Sequence, residues 1–254
     1  MTQGMTDRVA ANSYLFAFGE RGLLVQFDET EKTPAIRAVT ALNQQLLALK
    51  LRGLISTTPS YASLLVTFEP AAISGDRLST IINELLQSPS SDFVSAGSEI
   101  DQVCWQLPTL FVDERDEDAR ELQEELGLPW DRVVTTFCNA EYRVNAIGFL
   151  PGFTYLGGLS DALYCRRLEV PKSCIPASSV AIAGNQAGIY PMDSPGGWRV
   201  LGRLPFAIFE PTRPSPVLFS PHDQITFVSV STSYFNELLE STRHGELRLD
   251  DFKQ

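Results

Sequence analysis

Histidine is nearly missing from this chain: its 254 residues include two, His222 and His244, alongside four cysteines and three methionines. No C-x-x-C pair joins Cys104, Cys138, Cys165 and Cys174. With so few ligand types at such spacings no intrinsic metal site is expected, and the cysteines read as reduced, buried core residues. No G-x-x-x-x-G-K-[ST] loop or G-x-G-x-x-G turn is present, so no nucleotide site can be read from a phosphate loop. There is no G-x-S-x-G elbow. Both histidines stand outside the glycine-rich stretch described below, which argues against a Ser–His–Asp arrangement. His222, in a Ser-Pro-His-Asp turn, reads as solvent-facing. No run approaches the roughly 18 to 20 apolar residues of a membrane span, and Met1 to Ala11 has no signal-type apolar core. A cytoplasmic location is the expectation. Lys and Arg total 20 against 31 Asp and Glu, a formal charge of -11, which disfavours nucleic acid and anionic membranes as partners.

What is present is a globular composition, 44% hydrophobic and 20% charged, with enough apolar material for a real core. Residues 1–95 read as an N-terminal α+β domain of ββαββα order. Strands are expected at Tyr14 to Phe18, Leu23 to Phe27, Ile55 to Ser60 and Ser63 to Phe68. Amphipathic helices are expected at Thr33 to Leu51 (Ile36, Val39, Leu42, Leu46 and Leu47 at helical spacing) and at Gly75 to Gln87. The polar run Ser88 to Ser98 reads as a linker. Residues 96–254 then open with a strand to Phe111 and the acidic run Asp113 to Asp118, which begins a solvated helix from about Glu117 to Glu125. A short helix follows from Pro129 to about Cys138. From Glu141 to Val230 the pattern is strand and turn, the signature of a closed or nearly closed, mostly antiparallel β-barrel. A short helix is expected at Tyr234 to Leu239.

The most informative stretch lies within that barrel, from Ile147 to Arg203. Glycine and proline recur every few residues while bulky apolar and aromatic residues fill the gaps, unlike a linker. Glycine permits positive φ and leaves room for a close neighbour. Embedded polar groups, among them Arg143, Tyr155, Arg167, Gln186, Tyr190, Asp193, Arg199 and Arg203, suit recognition of a carboxylate or a planar amide. They supply electrostatic stabilisation without a nucleophile. Trp198 and the aromatics Phe149, Phe153 and Tyr155 read equally as core packing. Lys172 reads as isolated.

The motifs E-Y-R-V-N-A-I-G-F-L-P-G-F-T-Y-L-G-G-L, I-P-A-S-S-V-A-I-A-G-N-Q-A-G-I-Y-P and S-P-G-G-W-R-V-L-G-R resemble those of one family, which includes allophanate hydrolase subunit 1, KipI and the 5-oxoprolinase B subunit (PxpB). The likeness extends weakly upstream, to about Tyr14. It implies an α/β domain followed by a cyclophilin-like barrel, a carboxyltransferase-type module that works beside a C-type subunit (allophanate hydrolase subunit 2-like). Three roles are open on that scaffold. One is a subunit of an ATP-dependent 5-oxoprolinase, acting with two others to convert 5-oxoproline to glutamate. Another is inhibition of a sensor histidine kinase, and the third is a carboxyltransferase component of a urea or allophanate system. ATP enters through the resemblance alone. The chain departs from the family pattern at Asp113 to Asp118, in place of a glycine-rich loop, and at Phe137-Cys138, in place of a His-Ser or His-Thr pair. Ser178 and His222 stand where the family carries glycine, and Ala187 where it carries threonine. The leading expectation is the 5-oxoprolinase role. Arg143, Tyr155, Gln186, Tyr190 and Arg203 would contact substrate, and Gly152, Gly157, Gly184, Gly188, Gly196 and Gly197 would shape the pocket.

Overall fold

A computed structural model of the chain describes residues 7–10, 13–28, 32–87 and 102–254. The chain divides into two compact units, Met1–Glu99 and Ile100–Gln254; the linker expected at Ser88 to Ser98 lies outside the described residues. The first unit runs β1 (Asp7–Ala10), β2 (Ser13–Ala17), β3 (Gly22–Phe27), α1 (Lys32–Ala48), β4 (Leu54–Pro59), β5 (Ser63–Phe68) and α2 (Gly75–Gln87). Its sheet has the order β1-β2-β3-β5-β4, with every neighbouring pair antiparallel. The order is therefore βββαββα. The extra edge strand, Asp-Arg-Val-Ala, is too short and too charged to show a two-residue alternation. Elsewhere the alternation holds: Leu64, Val66 and Phe68 of β5 are buried with Ser63, Leu65 and Thr67 between them half-exposed. The buried face of α2 is Leu78, Ile81, Ile82 and Leu86. On α1, Ile36, Val39, Leu42 and Leu46 are buried, but Leu47 is 51% exposed. It lies one residue, about 100° of helix turn, beyond Leu46 and off the stripe.

The second unit contains β6 (Cys104–Phe111), α3 (Glu117–Leu126), α4 (Trp130–Cys138), β7 (Tyr142–Ile147), β8 (Thr154–Gly157), β9 (Lys172–Ile175), β10 (Ser179–Ala183), β11 (Gln186–Ile189), β12 (Ser194–Gly196), β13 (Arg199–Arg203), β14 (Gln224–Ser229) and α5 (Thr232–Arg243). Seven strands close a barrel in the order β10-β11-β8-β7-β14-β6-β13. An odd number of strands cannot alternate in direction all the way round a closed ring. One parallel pair is therefore required, and it is β6 with β14, Cys104 opposite Gln224 through Thr109 opposite Ser229. The remaining barrel pairs are antiparallel. Helix α3 is capped by Asp116, whose side chain accepts from the Asp118 N–H, and ends at Gly127 in the left-handed region. Helix α5 begins two residues earlier than its apolar pattern suggests because Ser231 caps it, accepting from the Tyr234 N–H at 3.3 Å.

Strand β10 is buried at all five positions, so its two faces meet different neighbours. Val180 and Ile182 join the main core with Leu107, Phe137, Tyr142 and Phe227. Ala181 and Ala183 face a second cluster with Phe153, Ile175, Tyr190 and Trp198. A two-residue period with both faces covered is the reason this strand reads as a continuous apolar run.

Three expectations are corrected in this unit. His222 is 3% exposed, not solvent-facing. It holds φ at 78°, and its backbone N–H donates to the Val144 carbonyl at 2.9 Å. Its neighbour Asp223 is buried too and accepts from Trp105 Nε1 at 3.0 Å and from the Ser220 N–H at 2.9 Å. Of the four free cysteines only Cys165 is buried, and Cys174 is exposed. The acidic run is not uniformly solvated either, since Asp118 is 1% exposed.

Candidate functional site

A row of paired residues crosses three barrel strands: Tyr155 of β8 opposite Gly188 of β11, and Gly188 opposite Ala181 of β10. Neither Gly188 nor Ala181 fills the space above the sheet, and aromatic rings occupy it instead. A Cβ on Gly188 would come within 2.9 Å of Trp198 Cζ3 and 3.1 Å of Phe153 Cζ, closer than side chains pack. Phe153 is the hub. It meets Tyr190 edge-on at 4.9 Å, Trp198 at 5.6 Å and Tyr155 at 4.6 Å between ring centroids. Each such pair contributes about 0.5–1.5 kcal/mol beyond the area it buries.

Above these rings lies a cleft of about 110 Å³, lined by Phe149, Phe153, Tyr155, Arg167, Tyr190, Pro195, Gly196, Gly197 and Trp198. Gly196 abuts the Tyr190 hydroxyl, where any side chain would displace it. The Arg167 guanidinium stands 5.7 Å from the centre of the Trp198 ring, within cation–π range. Burial pushes the Tyr190 hydroxyl up to about 12 against the opposing pull of Arg167. Burial raises Tyr155 as well, again opposed by Arg167. Both phenols therefore remain neutral hydrogen-bond donors at physiological pH, beside a fixed positive charge. Phe149, on the rim, is 74% exposed and holds φ at 69°, a conformation that costs a non-glycine residue about 1–2 kcal/mol. Such outliers concentrate at ligand-binding positions.

Of the five expected contact residues, Tyr155 and Tyr190 line this cleft, and so do Gly196 and Gly197. Gly188 underlies it. Arg143 lies on β7 opposite Gly157, two residues along from Tyr155. Gln186 ends the hairpin opposite Ala183, with Gly184 at φ 60° in its turn. Gly152 packs under Phe209 and Gly157 against Asn145. Arg203 lines a second cavity, of about 330 Å³, with Asp116, Asp118, Lys172 and Val200, and none of these lines the aromatic cleft. Arg167 belongs to the cleft although no motif distinguishes it from Arg166. Its signal is positional: Leu168 donates its backbone N–H to Gly197 at 2.8 Å, which brings the preceding residue to the S-P-G-G-W loop.

Lys172 is not isolated. Its Nζ donates to Asp118 Oδ2 at 2.7 Å, an ion pair in which the lysine is 31% and the aspartate 1% exposed.

An α+β chain with a closed, mostly antiparallel barrel and a small aromatic cleft on one sheet face defines the class. The family described as carboxyltransferase domain, subdomain C and D, matches residues 14–219, and the chain belongs to it. The 5-oxoprolinase B subunit of Bacillus subtilis is 29% identical over 234 residues, 88% of this chain and 95% of that one. Its counterpart of the same name in Escherichia coli O157:H7 is 37% identical over 123 residues, 48% of this chain and 56% of that one. The crystal structure of TTHA0988 superposes with a TM-score of 0.72 at 33% identity, over 83% of this chain and 40% of that one. This chain thus spans about two fifths of that structure. The Kluyveromyces lactis urea carboxylase shares the fold at a TM-score of 0.73 and 16% identity, over 96% of this chain and 24% of that one. Among the described residues no helix is long and apolar enough to cross a membrane.

Proposed function

We propose that this chain is the B-type subunit of an ATP-dependent 5-oxoprolinase-like amidohydrolase, acting with a C-type partner subunit and a third hydrolase subunit. The observation that carries the reading is the cleft of about 110 Å³ bounded by Tyr155, Arg167, Tyr190 and Trp198. Its volume lies well below the roughly 300–1,000 Å³ of sites for larger ligands, and it suits a five-membered lactam rather than a nucleotide. The ring would lie against Trp198 and Phe153. The neutral phenols of Tyr155 and Tyr190 would donate to the lactam oxygen, where negative charge develops on activation. Arg167 would take the carboxylate. ATP would then be a co-substrate handled by the assembled complex outside this cleft. The curated relatives are named as 5-oxoprolinase B subunits, which supports the same reading.

Co-purification with a C-type subunit, followed by measurement of 5-oxoproline-dependent ADP release, tests it. The expected result is a stable complex whose ATP turnover requires both chains and falls with Tyr155→Phe or Tyr190→Phe. A chain that binds no C-type subunit ends this reading. Capture of a histidine kinase dimerisation domain instead, or activity that requires a biotin-carrying partner, would replace it with one of the other two family roles.

A further inference from the structure

Arg167 reaches the aromatic cleft from a strap, residues 165–168, that forms no part of a named strand or helix. The side chain is exposed, and a long exposed arginine has many rotamers, so its aim depends on how firmly its backbone is held. Backbone hydrogen bonds hold the two ends of the strap. The Gly184 N–H donates to the Cys165 carbonyl at 2.6 Å, and the Leu168 N–H donates to the Gly197 carbonyl at 2.8 Å. A side chain holds the middle: Glu125 Oε1 accepts from the Arg166 N–H at 2.8 Å, across 41 positions of sequence.

Glu125 also meets the opposite side of the cleft. Its Oε2 accepts from Arg199 Nη2 at 3.4 Å, and the Arg199 side chain, 12% exposed, pairs with Glu121 as well. Arg166 precedes Arg167, and Arg199 follows Trp198. One carboxylate therefore binds the chain neighbours of both members of the cation–π pair, whose guanidinium and ring centre stand 5.7 Å apart. Helix α3 itself gains nothing from this acid. Glu125 lies in its last turn, which carries no basic residue, and a carboxylate there opposes the helix dipole. The two contacts outside the helix supply the reason for an acid at this position.

We propose that Glu125 is a positioning residue of the cleft: by holding the Arg166 N–H and the Arg199 guanidinium at once, it fixes Arg167 over Trp198 and aims it at the ligand. Glu125 lines no part of the cleft, and it acts through Arg167 alone. That the ligand is 5-oxoproline rests on the reading given above; the placement of Arg167 does not.

Two readouts test it: tryptophan emission of the full chain, and KM and kcat for 5-oxoproline in the complex with the C-type subunit. Arg167→Ala withdraws the cation from the Trp198 ring and sets the reference shift in emission. Glu125→Ala should reproduce that shift and raise KM roughly tenfold, the scale of one lost hydrogen bond to a charged group. It should leave kcat unchanged, because an anchor for the ligand carboxylate is held equally in ground and transition states. Glu125→Gln keeps an acceptor for the Arg166 N–H and should raise KM less than about threefold. In the Arg167→Ala background, Glu125→Ala should add nothing to either readout. Should Glu125→Ala fail to fold, Arg166→Pro, which deletes the N–H donor and leaves α3 intact, takes its place with the same expected outcomes. Emission and KM left unchanged by Glu125→Ala overturn the proposal, as does an Arg167→Ala variant with no emission shift. So do additive effects in the double variant or a fall in kcat at constant KM, because Glu125 then acts through α3 and not through Arg167. A wild-type complex without 5-oxoproline turnover ends the functional reading, and the emission cycle then decides the role of Glu125 by itself.

Discussion

The two cavities of the barrel unit are built on opposite principles. The aromatic cleft is shaped by what is missing: Gly188 has no side chain and Ala181 only a methyl, so that Phe153, Trp198 and Tyr190 can pack across the sheet. Its polarity comes from neutral phenols and one arginine at its edge. The second cavity is shaped by what is present, a buried carboxylate shared between an ammonium group and a backbone N–H. One wall is held by shape, the other by charge. Shape-held walls fail when a methyl group is added, and charge-held walls fail when a partner is removed.

The largest effect should come from breaking the charged wall on its exposed side. Lys172→Met leaves Asp118, 1% exposed, with a single donor, and should cost about 3 kcal/mol, as expected for an uncompensated buried charge. Asp118→Ala should cost less, about 2 kcal/mol, because Lys172 is 31% exposed and water can solvate it. Urea midpoints of the two variants check the order. If Asp118→Ala is the more damaging, the wall is held by the Val200 hydrogen bond and not by charge.

Next in size is the shape-held wall. Gly188→Ala places a Cβ 2.9 Å from Trp198 and 3.1 Å from Phe153 and should cost about 2 kcal/mol through overpacking, with a visible change in tryptophan fluorescence. Gly184→Ala serves as the contrast. No atom lies within 4 Å of its Cβ but φ is 60°, so it should cost about 1 kcal/mol through backbone strain alone and leave the fluorescence unchanged. Equal fluorescence responses would remove the distinction between the two glycines.

A smaller, pH-dependent effect separates the walls further. The Tyr190 hydroxyl is raised from 10 to about 12. The folded state thus favours the protonated phenol, a contribution fully present below pH 10 and lost as pH rises through about 12. Absorbance titration of tyrosinate should show this phenol ionising late, and Tyr190→Phe should abolish that step. An ordinary ionisation near 10 would mean that solvent reaches the cleft floor.

These differences also explain what could be read in advance. Strand β5 was legible because its two-residue period matches the face it buries; β10, buried at every position, has no such period and lay inside an undivided strand-and-turn region. The cleft was half legible: Tyr155, Tyr190, Gly196 and Gly197 stand inside long motifs, and register brings them together. Arg143 and Gln186 stand in the same motifs, but their strand positions carry them away from the rings, a matter of two residues of register that glycine content does not encode. The charged wall was illegible as a wall, because Asp118 pairs with residues 54 and 82 positions away. A local signal did exist. Asp118 precedes buried Leu122 by four residues, which places it on the inward face of α3. His222 and Ser178 show the same limit in the backbone. Both hold positive φ, 78° and 64°, a region that glycine enters freely and other residues rarely, so residue type alone gives no sign of the turn. Ser178 offsets part of that strain by donating its hydroxyl to the Phe206 carbonyl at 2.8 Å.

The smallest expected effect has the opposite sign. Phe149 is 74% exposed at φ 69°, and its only ring contact among the described residues is the edge-on approach to Phe153 at 5.9 Å. Little burial offsets the backbone cost, so Phe149→Gly should raise stability by about 0.5 kcal/mol, the strain released less that contact and the glycine entropy. The same change removes one wall of the cleft and should weaken whatever ligand the cleft holds. Thermal unfolding and ligand titration of one variant thus report opposite signs if Phe149 is kept for binding at the expense of the fold. A drop in stability would instead make Phe149 a packing residue of the aromatic cluster, and the cleft would lose its claim to a strained, ligand-facing rim.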